Sequence, residues 1–154
     1  MVNPSNQPTS DDPFDLNRFV EAQEPVYEGA LAELRRGRKE SHWMWFIFPQ
    51  FDGLGSSSTA RFYAIKSVAE AKAYLNHAIL GPRLLECSNA LLKLNGKPAS
   101  EIFGFPDDLK LRSNMTLFAI CSEPDSLFAR VLDRYFGGRP DERTVELLKT
   151  ASRG

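Results

Sequence analysis

Cysteine, histidine and long apolar runs are all scarce in this chain of 154 residues, and each scarcity closes a class of function. Two cysteines, Cys87 and Cys121, and two histidines, His42 and His77, stand far apart, so no zinc-ligand spacing exists. Neither thiol has a neighbouring base in the sequence, and no nucleophile elbow is present, so cysteine and serine hydrolase chemistry is disfavoured. Both cysteines sit inside apolar runs, the pattern of buried thiols in a reducing compartment. No metal and no cofactor are expected. The longest apolar run, Trp43 to Phe48, falls far short of the roughly 20 residues of a membrane helix. No basic stretch followed by an apolar one marks a signal peptide. A formal net charge of -1 supplies no global field to steer the chain onto nucleic acid, which would need a local basic patch. The expectation is a soluble cytoplasmic protein, off the membrane, with nucleic acid disfavoured as a partner.

Strict alternation of apolar and polar residues is also rare, and helical spacing takes its place. Residues 1–13 are polar with three prolines and read as a flexible arm; residues 14–154 read as one helical domain. Asp15 is placed to cap a first helix carrying Leu16, Phe19 and Val20. A second helix follows Pro25, with Tyr27, Ala30, Leu31 and Leu34 on one face and Gly37 as its stop. Ser67 and Glu70 have capping-box spacing, and Gly81-Pro82 opens a helix bearing Leu84, Leu85, Leu91 and Leu92. His77 reads as ordinary helix surface. Asp107 is placed to cap a helix with Leu111, Met115 and Phe118, and Asp108 to pair with Arg112 at i,i+4. Two further helices cover Leu127 to Phe136 and about Asp141 to Ala151. The fold class is all-α, a single-domain multihelical bundle.

The segment from Arg35 to Gln50 departs from these patterns. A basic cluster (Arg35, Arg36, Arg38, Lys39) runs straight into Ser41-His42-Trp43-Met44-Trp45-Phe46-Ile47-Phe48-Pro49-Gln50, which holds both tryptophans. Ser41 suits an N-cap and Pro49 a terminator, so a short, largely buried helix is expected. Adjacent odd positions on a helix point about 200° apart, so Trp43 and Trp45 should differ in burial, one in the core and one beside a cleft. Cations beside flat aromatic faces suit an anionic planar ligand, while the same residues also suit a basic turn leading into a core helix. His42, at the border of charge and apolar packing, suits a switchable proton carrier.

Two further constellations carry chemistry. Gly53-Leu54-Gly55-Ser56-Ser57-Ser58-Thr59-Ala60-Arg61 could turn several N–H groups toward an anion, with Arg61 as counter-charge; it equally reads as a flexible loop capped by Ser58 or Thr59. Asp107 and Asp108 are adjacent carboxylates suited to general acid–base work if one is desolvated, or simply to opening a helix. Gln23, Gln50 and Arg83 are polar residues in apolar surroundings, able to hold a ligand amide or one another.

These segments together resemble a bacterial family known as domain of unknown function 1810. The resemblance rests on Arg18-Phe19-Val20, Glu33-Leu34-Arg35, Gly37-Arg38-Lys39, the whole tryptophan segment from Ser41 to Gln50, Gly53-Leu54-Gly55, Tyr63-Ala64-Ile65, Leu80-Gly81-Pro82-Arg83-Leu84, Pro106-Asp107-Asp108 and Met115-Thr116-Leu117-Phe118. It spans nearly all of the chain after the arm, and the tryptophan segment is its most specific part. Two positions depart from the pattern: Ala78 stands after His77 where proline is usual, and Asn114 where serine or another small residue is usual. The resemblance implies a mainly helical monomer and no established activity. A more distant, fold-level likeness to helical N-glycosidases named for NAD and ADP-ribose makes glycosidic-bond hydrolysis conceivable by analogy, with Asp107 or Asp108 near the oxocarbenium-like centre.

The functional reading is a small-molecule site for an anionic ligand such as a nucleotide or ADP-ribose-like compound. Trp43, Trp45 and Phe48 are its expected walls, Arg38, Lys39 and Arg61 its cations, and His42, Asp107 and Asp108 its candidate catalytic groups. Gln23, Gln50 and Arg83 add polar contacts, and the loop from Gly53 through Gly55 to Ser58 forms the rim. His42, Lys39 and Arg61 should converge there. The alternative is a non-enzymatic module that docks a protein or nucleic acid on the exposed 35–50 segment.

Overall fold

The computed structural model describes residues 11–153, which form ten helices and no strand. In chain order these are α1 (Asn17–Gln23), α2 (Tyr27–Arg36), α3 (Met44–Ile47), α4 (Ser58–Phe62), α5 (Val68–Asn76), α6 (Leu80–Leu92), α7 (Ala99–Phe103), α8 (Asp107–Ile120), α9 (Leu127–Phe136) and α10 (Glu142–Arg153). This is the all-α single bundle that the helical spacing implied. No helix among the described residues is long and apolar enough to cross a membrane.

The centre of the bundle is α8. Six consecutive residues, Ser113 to Phe118, are buried there. Six residues exceed one helical turn, so neighbours enclose the helix on every side. α7, α9 and α10 pack against it, and α6 joins α9 to α2 and α5. Two hydroxyls of this stretch are satisfied locally: those of Ser113 and Thr116 donate to the Leu109 and Arg112 carbonyls at 3.1 and 2.8 Å, whereas the buried Asn114 Oδ1 accepts no hydrogen bond. Asn114 donates its amide N–H to the Pro49 carbonyl at 2.8 Å, which ties the end of the aromatic block to the middle of the bundle.

Several local signals behave as expected. Gly37 ends α2 in the left-handed region (φ 75°), where only glycine avoids a steric penalty. Ser67 Oγ accepts the Glu70 N–H at 3.0 Å, and Asp141 Oδ2 accepts the Thr144 N–H at 2.9 Å ahead of α10. Gly81 lets α6 begin hard against the end of α5, since a Cβ there would stand 2.1 Å from the Leu75 carbonyl oxygen.

Others are reassigned. α1 is capped by Asp12, whose two carboxylate oxygens accept the Leu16 and Asn17 N–H groups at 2.7 and 3.0 Å, while Asp15 takes a left-handed φ of 53°. Asp12 therefore belongs to the folded unit, and the expected arm is described only from residue 11; residues 1–10 lie outside the described residues. Ser41 does not cap α3, which begins at Met44 without a side-chain cap, because its hydroxyl goes to Glu33 at 2.6 Å. Asp107 is the first residue of α8, not its cap, because lysines engage its carboxylate. Asp108 accepts the Leu109 N–H, and Arg112 donates to the Arg139 carbonyl, so their i,i+4 pair does not form. His77 is a capping residue: its Nδ1 accepts the N–H groups of Ile79 and Leu80 at 3.1 and 3.2 Å.

The glycine-serine segment is a pinned excursion. Phe51 and Ile65 form an isolated parallel bridge, with Asp52 N–H donating to the Ile65 carbonyl and Ile65 N–H to the Gln50 carbonyl at 2.8 and 2.9 Å. Between these pins the chain carries the loop and α4, which is capped by Ser57, one residue before the expected Ser58 or Thr59.

Candidate functional site

The two tryptophans differ in burial as expected, but not as neighbours on one helix: Trp43 is the N-cap of α3, with φ -138°, and only Trp45 lies within it. Trp43 is 1% exposed and packs on Phe48 and Phe103 at ring separations of 6.1 and 6.5 Å. Trp45, two residues on, is half-buried and faces an open pocket. Trp43 is thus the core tryptophan. Phe48, expected as a ligand wall, is wholly buried between Trp43 and Phe103. Met44, Ile47 and Pro49 are buried as well, so of the segment from Trp43 to Gln50 only Trp45, Phe46 and Gln50 are partly exposed.

Glu33 holds this arrangement in place. Its carboxylate accepts four hydrogen bonds: from the N–H groups of Glu40 and Ser41 at 2.8 and 2.9 Å, the Ser41 hydroxyl at 2.6 Å, and the Trp43 indole N–H at 2.9 Å. Burial by itself raises the pKa of such a group, but the bonds from Ser41, Glu40 and Trp43 outweigh it and hold Glu33 down at about 2. One ionised side chain thereby folds the turn between α2 and α3 and orients the tryptophan segment.

The pocket beside Trp45 has a volume of about 430 Å³, within the usual range of small-ligand sites. Trp45 and Gln50 come from the aromatic block; Leu54, Gly55, Ser56, Ser57 and Ala60 from the pinned loop and α4; Pro106, Leu109, Lys110 and Ser113 from the start of α8. Pro106 follows a cis peptide bond, and Phe105, just before it, is 81% exposed. A polar chain starts at the indole. Lys110 Nζ lies 4.7 Å from the centre of the Trp45 ring and 3.4 Å from Asp107 Oδ1. Asp107 Oδ2 pairs with Lys39 Nζ at 2.9 Å. The Lys39 ammonium also donates to the Ser41 carbonyl at 2.6 Å and sits 4.9 Å from the Trp43 ring, with only 7% of its side chain exposed. The two lysines outnumber the one carboxylate, and the pair of carboxylates at Asp107 and Asp108 also suits the positive end of α8.

The other sequence-derived residues lie as follows. Gln50 and Gly55 line the pocket. Lys39 stands behind it as a buried ion pair, not on its wall. His42 is exposed and does not line it. Arg61 opens on a different cleft with Phe14, Asp15, Arg18, Phe62, Lys66 and Glu70. The convergence of His42, Lys39 and Arg61 is therefore absent. Gly53 packs its α-carbon toward Leu147 of α10. Arg38 is an exposed cation 3.9 Å from Glu40. Gln23 and Arg83 bind one another: Gln23 donates to the Phe46 carbonyl and Tyr74 hydroxyl at 2.7 and 3.1 Å, and Arg83 donates to Gln23 at 3.3 Å and pairs with Glu24 at 3.2 Å. They brace α3 from behind. Among the described residues no group of three or more histidine, cysteine or acidic side chains could hold a metal ion.

Four lining residues from the start of α8 were not among the expected site residues: Pro106, Leu109, Lys110 and Ser113. The signal for Lys110 was present, because it stands three residues after Asp107 and so shares its side of the helix. Helical spacing gives Glu33 no special mark: it is one of two acidic residues on α2, with Glu28, and lies off the apolar stripe.

The chain can be set beside known proteins at this point. No curated protein matches it. Among solved structures, the crystal structure of the conserved hypothetical protein Rv1873 from Mycobacterium tuberculosis is similar, with 56% sequence identity over 90% of this chain and 99% of that one and a TM-score of 0.88. Residues 13–148 match the family model described as protein of unknown function (DUF1810). With 136 consecutive residues matched, from Pro13 to Leu148, the chain belongs to the DUF1810 family.

Proposed function

We propose that the pocket beside Trp45 binds a small planar molecule bearing an anionic group, of the class that includes nucleotides and ADP-ribose-like compounds. The observation that carries this reading is the Lys110 ammonium poised over the Trp45 ring at the mouth of a pocket of about 430 Å³. A flat indole offers stacking to any planar ring, worth about 1–3 kcal/mol per base in nucleic-acid sites. The ammonium supplies a counter-charge, and Gln50, Ser56, Ser57 and Ser113 bring polar groups to the same wall.

The proposal stops at binding. Both Asp107 oxygens are engaged by lysines, Asp108 accepts the Leu109 N–H through Oδ1, and neither carboxylate lines the pocket, so the reading includes no glycosidic-bond chemistry. A thermal-shift series with AMP, NAD and ADP-ribose tests the reading. At a hundred times its Kd, a ligand of the native state adds about 2.7 kcal/mol of stability, which raises Tm by several degrees. The rise should vanish in Trp45→Ala. Flat profiles for all three compounds in the unmodified protein would overturn it.

A further inference from the structure

We infer that Lys110 is the specificity-determining residue of the Trp45 pocket, admitting a planar ligand only when that ligand brings an anionic group to draw the ammonium off the ring; this rests on the binding reading above. A face of the Trp45 ring is already occupied, since Lys110 Nζ stands 4.7 Å from the ring centre. A ring that stacks on the indole and the ammonium cannot hold the same space, so one displaces the other.

Which of the groups moves is settled by their anchors. Asp107 is fixed through Oδ2 to Lys39 at 2.9 Å. Lys39 is fixed in turn by the Ser41 carbonyl at 2.6 Å, by the Trp43 ring, and by its own N–H on the Ile102 carbonyl at 2.7 Å. Lys110 has the longer ion pair, 3.4 Å, and a quarter of its side chain is exposed. It is the arm that swings. A neutral planar ligand displaces the ammonium from the indole and gives it nothing in return. A ligand carrying phosphate or carboxylate gives the displaced ammonium a charge-assisted hydrogen bond. The same lysine therefore opposes neutral rings and favours anionic ones.

The test measures Kd for AMP and for adenosine, by calorimetry, in the unmodified protein, in Lys110→Met and in Lys110→Arg. The unmodified protein should prefer AMP. In Lys110→Met, AMP should weaken by about tenfold or more, the weight of a hydrogen bond to a charged group. Adenosine should tighten by about two- to fivefold in the same variant, because the cation over the ring is gone. Lys110→Arg keeps the charge and should keep the preference for AMP, and it serves as the folded control should the methionine variant melt early. Equal weakening of both probes, or no change in either, would overturn the assignment of Lys110 while leaving the pocket standing. If neither probe binds any of the three proteins, the pocket reading and the assignment fall together.

Discussion

Trp43 donates its indole N–H to the Glu33 carboxylate across 2.9 Å, and this bond separates the two tryptophans into different roles. It draws Trp43, at the N-cap of α3, inward against Phe48 and Phe103, while Trp45 within the helix faces the pocket. The pocket wall exists because the neighbouring indole is tied down.

Glu33→Gln should therefore loosen the whole turn. Glutamine keeps one acceptor oxygen but turns an N–H₂ toward groups that are themselves donors, at a cost of about 2–3 kcal/mol, the range for bonds to a charged group. The pH dependence identifies the cause. Glu33 is held at about 2, below its ordinary value of 4.5, so its contribution is present above pH 4.5 and disappears as pH falls toward 2. Denaturant melts should show the unmodified protein and the variant converging over that window. A gap that stayed constant from pH 7 to pH 2 would assign the effect to shape and not to charge.

Trp43→Ala and Trp45→Ala should differ by several kcal/mol. Trp43 is fully enclosed, and its loss should cost about 3–5 kcal/mol. Trp45 is half-exposed, and its loss should cost about 1 kcal/mol or less. Tryptophan emission adds a second reading: the spectrum left in Trp45→Ala should be that of a buried indole. Equal destabilisation by the two changes would contradict the division between core and wall.

Lys39 shows how far the pocket was legible in the sequence and where legibility stopped. Periodicity located the helices, because burial of an apolar stripe is a local property that spacing exposes. The same spacing led to the expectation that the tryptophans diverge, and they do, although Trp43 stands just outside α3 and is turned inward by Glu33. Which cation would face a ligand depended on tertiary contacts: Lys39 reaches Asp107, 68 positions further along by the numbering, and becomes a buried tie, while Lys110 takes the wall. Arg61 lies near the aromatic block in sequence, yet α4 turns it toward another cleft. Caps failed for a similar reason. Asp15, Ser41 and Asp107 are all good capping residues, but Asp12, Glu33 and the two lysines made competing bonds that local propensity cannot rank.

Lys39→Met should consequently behave as a stability change. Removing one partner of a buried pair leaves the other charge uncompensated, but Asp107 retains Lys110, so the cost should be about 1–3 kcal/mol and not the larger figure for an isolated pair. The loss should be the same with and without AMP in a thermal melt. A loss confined to the ligand-bound protein would return Lys39 to the pocket wall.

Arg18 gives the sharpest test of the scaffold around the tryptophan segment. All five guanidinium N–H groups are used: Nε donates to the Phe62 carbonyl at 2.8 Å, Nη1 to the Phe14 and Asp15 carbonyls at 2.8 and 2.9 Å, and Nη2 to the Ala64 carbonyl at 2.9 Å and the Glu70 carboxylate at 2.7 Å. These bonds tie the entry to α1 to the far end of α4 and the start of α5, which is the frame on which the pinned loop hangs. Lysine keeps the charge but offers three donors from one point and no planar fork, so Arg18→Lys should leave several carbonyl oxygens, most of them part-buried, without their partner. The expected cost is about 2–4 kcal/mol, from the loss of two or more such bonds at roughly 1–1.5 kcal/mol each with the ion pair weakened. Hydrogen exchange should then accelerate first at Ile65 and Asp52, the amides that close the loop, before the amides of α8 respond. Uniform acceleration across α8 and the loop would show that Arg18 supports global stability alone, with no special hold on the wall of the pocket.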